Sequence, residues 1–338
     1  MRGWERMKAA ASIAGNALSP LAGLDIHLVF LTPMKPPAFR SLLALIVVST
    51  LATPFAGAIV TAAGTVTSSL PSGNPGFDNI GQVNGASAIY LGGGWVMTAD
   101  HVAGSLPGSV TFGGTSYGTQ SGSWQRLTNP SSGTSTDIVL FRLASDPGLA
   151  SLTLKSTAPT VGSPVMYVGN GKVQQTSLTN WSVTFDSGTG HYIWTESGSP
   201  ADAAGFKTTA SNEVTWGVND IAGINQVINI GHGDLTTFYT IFDSGAYLYE
   251  GQAVVGDSGG GVFFFDGTNW VLGGMTDAVA TYPDQPANTA VFGDATYAAD
   301  LSTYADQIAS ITGITLVPEP SAMLMVLGGV VLVVRRRR

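Results

Sequence analysis

Ser258 stands in the pentapeptide Gly256-Asp257-Ser258-Gly259-Gly260, and His101 closes the tetrapeptide Thr98-Ala99-Asp100-His101 far upstream. Between them, Asp137 heads the apolar run Ile138-Val139-Leu140-Phe141. These three residue types can run one chemistry together. A serine hydroxyl is a weak nucleophile until a base accepts its proton. A neutral imidazole is a suitable base near pH 7. A buried carboxylate holds that imidazole in the right tautomer and stabilises the imidazolium that forms. The glycines have separate tasks. Gly256 lets the backbone turn so that its N–H and that of Ser258 converge on one spot, where negative charge develops in the transition state. Gly259 and Gly260 let neighbouring backbone approach closely.

Chain order separates the folds that carry such a triad. Here the order is His101, Asp137, Ser258. The G-x-S-x-G string also matches the nucleophile elbow of α/β-hydrolases, a fold that needs its histidine after the serine. The four histidines are His27, His101, His191 and His232, and all precede Ser258. That alternative fails.

The three segments resemble the trypsin/chymotrypsin superfamily of serine proteases. The serine motif G-D-S-G-G is matched in full. Asp137-Ile138-Val139-Leu140-Phe141 fits the family's aspartate-headed strand. Thr98-Ala99-Asp100-His101 departs from the family's T-A-A-H pattern at Asp100. The resemblance runs from about Ala58 to about Thr312. It implies an all-β fold of two six-stranded-type antiparallel β-barrels with a C-terminal helix. His101 and Asp137 would come from the first barrel and Ser258 from the second. It implies a serine endopeptidase that acts on a protein or peptide substrate through an acyl-enzyme. Gly256 and Ser258 N–H groups would form the oxyanion hole, with no cofactor and no metal. Gln252, six residues before the serine, would lie at the base of the specificity pocket. Thr276 and Asp277 are expected along its wall. Gln252 offers an amide and no charge, so a buried arginine or lysine before the scissile bond is disfavoured. The alternative from another class is a catalytically silent relative that binds proteins or extracellular matrix.

The elements that must position these residues read as β. Ala88 to Leu91 and Trp95 to Thr98 flank Gly92-Gly93-Gly94, a hairpin that delivers His101 just after a strand end. Ile138 to Leu143 and Val165 to Val168 are further strands. Gly261 to Phe265 and Trp270 to Leu272 flank Asp266-Gly267-Thr268-Asn269, a second hairpin leading away from Ser258. Many short strands with glycine-rich turns suggest barrels. Tyr297, Leu301, Tyr304, Ile308 and Ile311 recur at helical spacing and predict a core-packed helix that stops at Gly313. The 121 residues from Asp137 to Ser258 exceed what compact members of the family need. The excess is expected as long loops between Asn170 and Gly251. His191 and His232 lie there without a third ligand, so no metal site is expected from them.

Composition agrees with short strands and turns. Charged residues make up only 11% of the 338, against 44 glycines. There is no cysteine. Eukaryotic secreted members of the family generally carry disulfides, so the absence points to a bacterial protein. Its core must hold by burial alone, which about 250 residues can manage. Between Ile59 and Pro320 stand five basic and twenty acidic residues, a net charge of −15. Such a surface repels nucleic acid and anionic lipid.

The basic residues gather at the ends. Met34 to Arg40 is a short basic region, Ser41 to Leu51 an apolar stretch, and Ala56-Gly57-Ala58 an A-x-A cleavage pattern. Residues 1–58 therefore read as a leader with a signal peptide, with the true start expected at Met34. Signal peptidase cutting after Ala58 would leave Ile59-Val60 as the new N-terminus. This resembles animal members of the family whose new ammonium group pairs with the aspartate before the catalytic serine, here Asp257. Thr61-Ala62 replaces the usual glycine pair. Residues 59–312 would be the protease domain, and 313–338 a sorting segment. There, Val317-Pro318-Glu319-Pro320 precedes an uncharged run from Ser321 to Val334 and then Arg335 to Arg338. This resembles the PEP-CTERM signal of Gram-negative bacteria, handled by exosortase-type machinery. The uncharged run, 321–334, is shorter than a standard span of about 20 residues, which suits transient membrane contact, with the arginines on the cytoplasmic side. The implied destination is the cell envelope or extracellular matrix of a Gram-negative bacterium.

Overall fold

The computed structural model describes residues 59–318 except 199, 200, 246 and 255. The leader 1–58 and the segment 321–334 with its arginines lie outside the described residues. Among the described residues, no helix is long and apolar enough to cross a membrane.

A two-residue strand, β1 (Val60–Thr61), opens the described chain. Seven strands then form the first sheet: β2 (Ile80–Val83), β3 (Ala86–Gly92), β4 (Trp95–Thr98), β5 (Ser109–Phe112), β6 (Thr115–Gly118), β7 (Gln125–Thr128) and β8 (Ser135–Arg142). Their spatial order is β6-β5-β2-β3-β4-β8-β7, all antiparallel. A bridge between Thr119 and Leu143 joins the end of β6 to the end of β8. Gln120 N donates to Arg142 O at 2.7 Å and Ala144 N to Gly118 O at 2.8 Å across the same seam. Six strands thus close on themselves, with β7 outside the ring.

The second half begins with β9 (Thr153–Lys155), β10 (Pro164–Gln174), β11 (Thr179–Asp186), β12 (His191–Ser197), β13 (Ala203–Ile228) and β14 (Leu235–Ile241). It continues with β15 (Gly251–Gln252), β16 (Gly261–Phe265), β17 (Trp270–Ala280), β18 (Thr289–Val291) and β19 (Ala295–Asp300). The ladder β10-β16-β17-β19-β14-β13 returns to β10, because β13 also pairs with β10 from Pro164↔Asp220 onward. This is a second closed ring of six antiparallel strands. The protein is an all-β, chymotrypsin-like double barrel.

The apolar runs are continuous because their strands are buried on both faces. Ala88, Tyr90, Phe141 and Leu143 belong to one buried cluster with Val110 and Phe112 from the first barrel's own strands. The alternate residues Ile89, Leu91, Ile138 and Leu140 join a different cluster, shared with Met166, Val168, Phe263 and Leu272 of the second barrel. The second barrel repeats the scheme, with Val165, Tyr167, Val262 and Phe264 in a cluster of its own. Successive side chains point to opposite faces of a strand. Each such run therefore fills its own barrel with one set of residues and packs barrel against barrel with the other.

Three expectations change. The predicted helix begins later, because Tyr297 lies in β19, paired with Tyr239. Leu301–Tyr304 is a 3₁₀ turn, and α1 spans only Ala305–Thr312. Strand pairing outbids helical spacing at Tyr297, while Leu301, Tyr304 and Ile308 are fully buried. Gly313 does end the helix, at φ 72°. Second, the stretch from Asn170 to Gly251 is mostly strand and not long loops. Strands β11, β12 and the first part of β13 form a hairpin sheet beside the barrel, with Trp181 and Val183 buried on one face. Third, the packed domain runs past Thr312: β20 (Thr315–Val317) pairs in parallel with β9.

Candidate active site

His101 follows the end of β4 in a turn closed by Val102 and Ala103 N–H groups donating to Ala99 O. That turn folds His101 back onto β8, where Asp137 is 1% exposed. Asp137 gives both oxygens to this one residue. Oδ2 lies 2.7 Å from His101 Nδ1, and Oδ1 accepts the His101 backbone N–H at 2.9 Å. The ring is held at two points, with Nδ1 as the donor to carboxylate and Nε2 left for other work. Burial opposes charge on the His101 ring, but the Asp137 hydrogen bond and charge outweigh it and raise its pKa above the usual imidazole value, with Asp100 adding to the rise. Burial likewise opposes ionisation of Asp137, and the His101 contacts overcome it and hold its pKa below the usual carboxylate value.

Ser258 arrives from the other barrel. Ser87 N on β3 donates to Ser258 O at 3.0 Å, and Gly259 N donates to Thr276 O on β17 at 2.8 Å. Gly259 adopts φ 85°, and a Cβ there would sit 2.2 Å from Ser87 O and 2.3 Å from Thr98 Oγ1. Only glycine fits between the barrels at this point. The Ser258 hydroxyl donates to the Asp277 carbonyl at 3.1 Å. Among the described residues no hydrogen bond joins it to His101. Catalytic hydrogen bonds are often long or misaligned before substrate arrives.

Asp277 is 3% exposed and occupies a bulge in β17, where the register with β19 skips from Thr276↔Ala298 to Ala278↔Tyr297. A bulge re-aims a side chain. Here a carboxyl oxygen comes within 4.8 Å of both the His101 ring nitrogen and an Asp137 oxygen. The structure brings the carboxyl of Asp277, expected on a pocket wall, against the His101–Asp137 pair. Thr276 is buried beside it and its N–H bonds Gly260 O at 2.8 Å, so its backbone braces the serine turn. Gln252 is 1% exposed in β15, opposite Val60 of β1, and neither amide atom has a hydrogen-bond partner among the described residues. Gly256 adopts φ 103°, as a tight turn before the serine requires.

Sequence reasoning missed a second histidine–aspartate pair. His232, in the turn between β13 and β14, places Nδ1 2.7 Å from Asp100 Oδ2. Arg126 lies 3.1 Å from the same oxygen and donates to His232 O and Thr136 O. The two histidine rings meet edge to face, with centroids 5.9 Å apart. The turn is tied across the barrels: Asn129 Nδ2 and Thr136 Oγ1 each donate to Asp234 O at 2.8 Å. The visible signal was Asp100, the position where T-A-D-H departs from T-A-A-H. His191 takes no part, since its Nδ1 pairs with Asp284 on the hairpin-sheet side at 2.9 Å.

Asp100, Asp137 and His232, and also His101, Asp137 and Asp277, each bring three ligand-type atoms within 4.8 Å. Asp100 pairs with Arg126, and both Asp137 oxygens receive His101 hydrogen bonds, while the Asp277 carboxyl oxygens have no hydrogen-bond partner among the described residues.

Asp257, beside the serine, is fully buried. Its Oδ2 accepts Val254 N–H at 3.0 Å, while Oδ1 has no partner among the described residues. Burial drives its pKa well above the usual value. A Cβ on Gly169 would meet both Asp257 Oδ1 at 2.3 Å and Ile59 Cδ1 at 3.5 Å, so Ile59 lies close to this carboxyl.

No family model and no curated protein matches the chain. Among solved structures it is similar to kallikrein-related peptidase 10 in complex with Zn2+, at 15% identity over 70% of this chain and 95% of that one, with TM-score 0.41. A mutant of human heparin binding protein is 14% identical over 70% and 92%, with TM-score 0.43. The NS6 protease from murine norovirus 1 is 17% identical over 69% and 93%, with TM-score 0.34. The fold assignment rests on the strand pairings above, not on likenesses of this size.

Proposed function

We propose that this protein is a serine endopeptidase. His101 is the general base, Asp137 orients it, and Ser258 attacks the peptide carbonyl to form an acyl-enzyme. The Gly256 and Ser258 N–H groups stabilise the tetrahedral intermediate. Before attack the Ser258 hydroxyl turns from the Asp277 carbonyl to His101 Nε2. The observation that carries the reading is the two-point grip of one buried carboxylate on His101, at 2.7 and 2.9 Å, where the serine turn meets the first barrel. Labelling with a fluorophosphonate probe tests it. The intact protein should be labelled at Ser258 and Ser258→Ala should not. An unlabelled, folded wild-type protein would instead favour a silent binding protein of the same fold.

The exported, envelope-sorted destination is part of this proposal. It rests on the leader motifs before Ala58 and the tripartite segment after Thr312. Export would also activate the enzyme, because a cut after Ala58 creates an ammonium at Ile59. The nearby unpartnered Oδ1 of Asp257 supports that pairing. N-terminal sequencing of active protein should read Ile59-Val60, and full activity from any other start would refute the activation step.

A further inference from the structure

Asp277 is a buried titratable group against the His101–Asp137 pair to which the proposed reaction assigns no side-chain role. Neither of its carboxyl oxygens receives a hydrogen bond from an N–H or O–H group among the described residues. As an anion it would be a buried, unpartnered charge beside a second anion, Asp137. Unpaired buried charge is costly, and two carboxylates sharing a site do not both ionise. Asp137 is the one that ionises, because His101 supplies it with two donors. Each carboxylate oxygen has a further lone pair to offer.

We infer that Asp277 enters the site as a neutral carboxylic acid whose O–H donates to the Asp137 carboxylate, making Asp277 a positioning residue for the His101–Asp137 pair. This rests on the endopeptidase reading for its catalytic consequence, though not for the proton itself. The bulge between Thr276 and Ala278 is what turns the side chain inward. The same residue's carbonyl parks the Ser258 hydroxyl. One bulged residue therefore holds the nucleophile through its backbone and the orienting carboxylate through its side chain. Burial and the neighbouring Asp137 charge both favour the protonated form, against a smaller opposing pull from His101. The other titratable or charged groups beside the cluster, among the described residues, are Asp100 on the turn after β4, His232 on the β13–β14 turn, and Arg126 on β7, which Asp100 engages. During turnover the transferred proton passes from Ser258 to His101 and on to the leaving amine. The Asp277 proton stays where it is.

Infrared difference spectroscopy of wild-type protein minus Asp277→Asn at pH 7 tests the proton directly. A carboxylic-acid C=O band should be present in the wild type and absent from the variant. The same difference taken in a Ser258→Ala background makes no demand on activity, so it separates this inference from the protease reading. In the active protein Asp277→Asn keeps the shape and an N–H donor. It should retain kcat within about tenfold, whereas Asp277→Leu should lose about 10²-fold, the cost of a misplaced catalytic group. KM should stay unchanged in both. Absence of the band, an equal loss in Asn and Leu variants, or an effect confined to KM overturns the inference. So does a stoichiometric cation, found by elemental analysis of the purified protein, in place of the acid band.

Discussion

Two histidine–aspartate pairs stand side by side in this protein, each with Nδ1 2.7 Å from a carboxylate oxygen. Distance does not tell them apart; their surroundings do. Asp137 spends both oxygens on His101, and the pair lies under the barrel interface beside Asp277 and the serine turn. Asp100 splits one oxygen between His232 and Arg126, and His232 is 38% exposed at its side chain. The first pair holds one imidazole in one orientation with a net negative partner. The second is a three-residue clasp that fastens a turn of the second barrel onto the first. Under the proposed function, only the first pair has a carboxylate that serves a single ring and leaves the other nitrogen for a nucleophile.

The comparison breaks most easily at the histidines. His101→Ala should cost about 10⁶ in kcat, as loss of one member of such a unit does. His232→Ala should lose less than the 10²-fold or so that a proton-transfer role is worth. Comparable losses from both, measured on one peptide substrate, would dissolve the distinction. The aspartates come next. Asp137→Asn should lower kcat by about 10⁴ through the wrong ring tautomer. Asp100→Asn should instead act on stability, by about 1–3 kcal/mol for a broken buried partner. Thermal unfolding alongside kcat separates the two effects.

A smaller effect concerns pH and activity. His101 must be neutral to accept a proton, and its pKa is raised by Asp137 against the opposing effect of burial. The acid limb of kcat/KM should therefore sit above the ordinary imidazole value of about 6.5. Its position should not move in His232→Ala. The smallest effect is on stability. Burial raises Asp277 well above the usual carboxylate value and pushes Asp294 up to about 7. A group with a raised folded pKa contributes stability that is complete below its unfolded value and lost as pH rises through its folded value. The melting temperature should therefore fall between pH 5 and pH 8. Asp137 has the opposite sign and gives up its share only in stronger acid. A melting temperature that rises across that window would contradict the raised pKa values of these buried carboxyls.

Much of the fold was legible because strands buried on two faces write continuous apolar runs, and glycine turns punctuate them. Gly92-Gly93-Gly94 and Asp266 to Asn269 marked their hairpins for that reason. The stretch after Asn170 was misread as loop because its strands are rich in threonine, serine and asparagine, and bury only alternate residues such as Trp181 and Val183. Tyr297 was misread because its spacing to Leu301 suits a helix, while its pairing with Tyr239 is a contact across 58 residues that no local window contains.

The residues of the candidate triad and their order were determined by the sequence alone, since residue type and chain order are what restrict the chemistry. Their geometry was decided only in three dimensions. The sequence carried Asp100 as a departure from a motif, and the fold made it a partner for His232 and Arg126. It carried Asp277 as a residue on a strand, and a single bulge brings that side chain against Asp137. Register and bulges set the face on which each side chain emerges, and they depend on pairings between distant segments. Nothing in the local residue order of β17 specifies them.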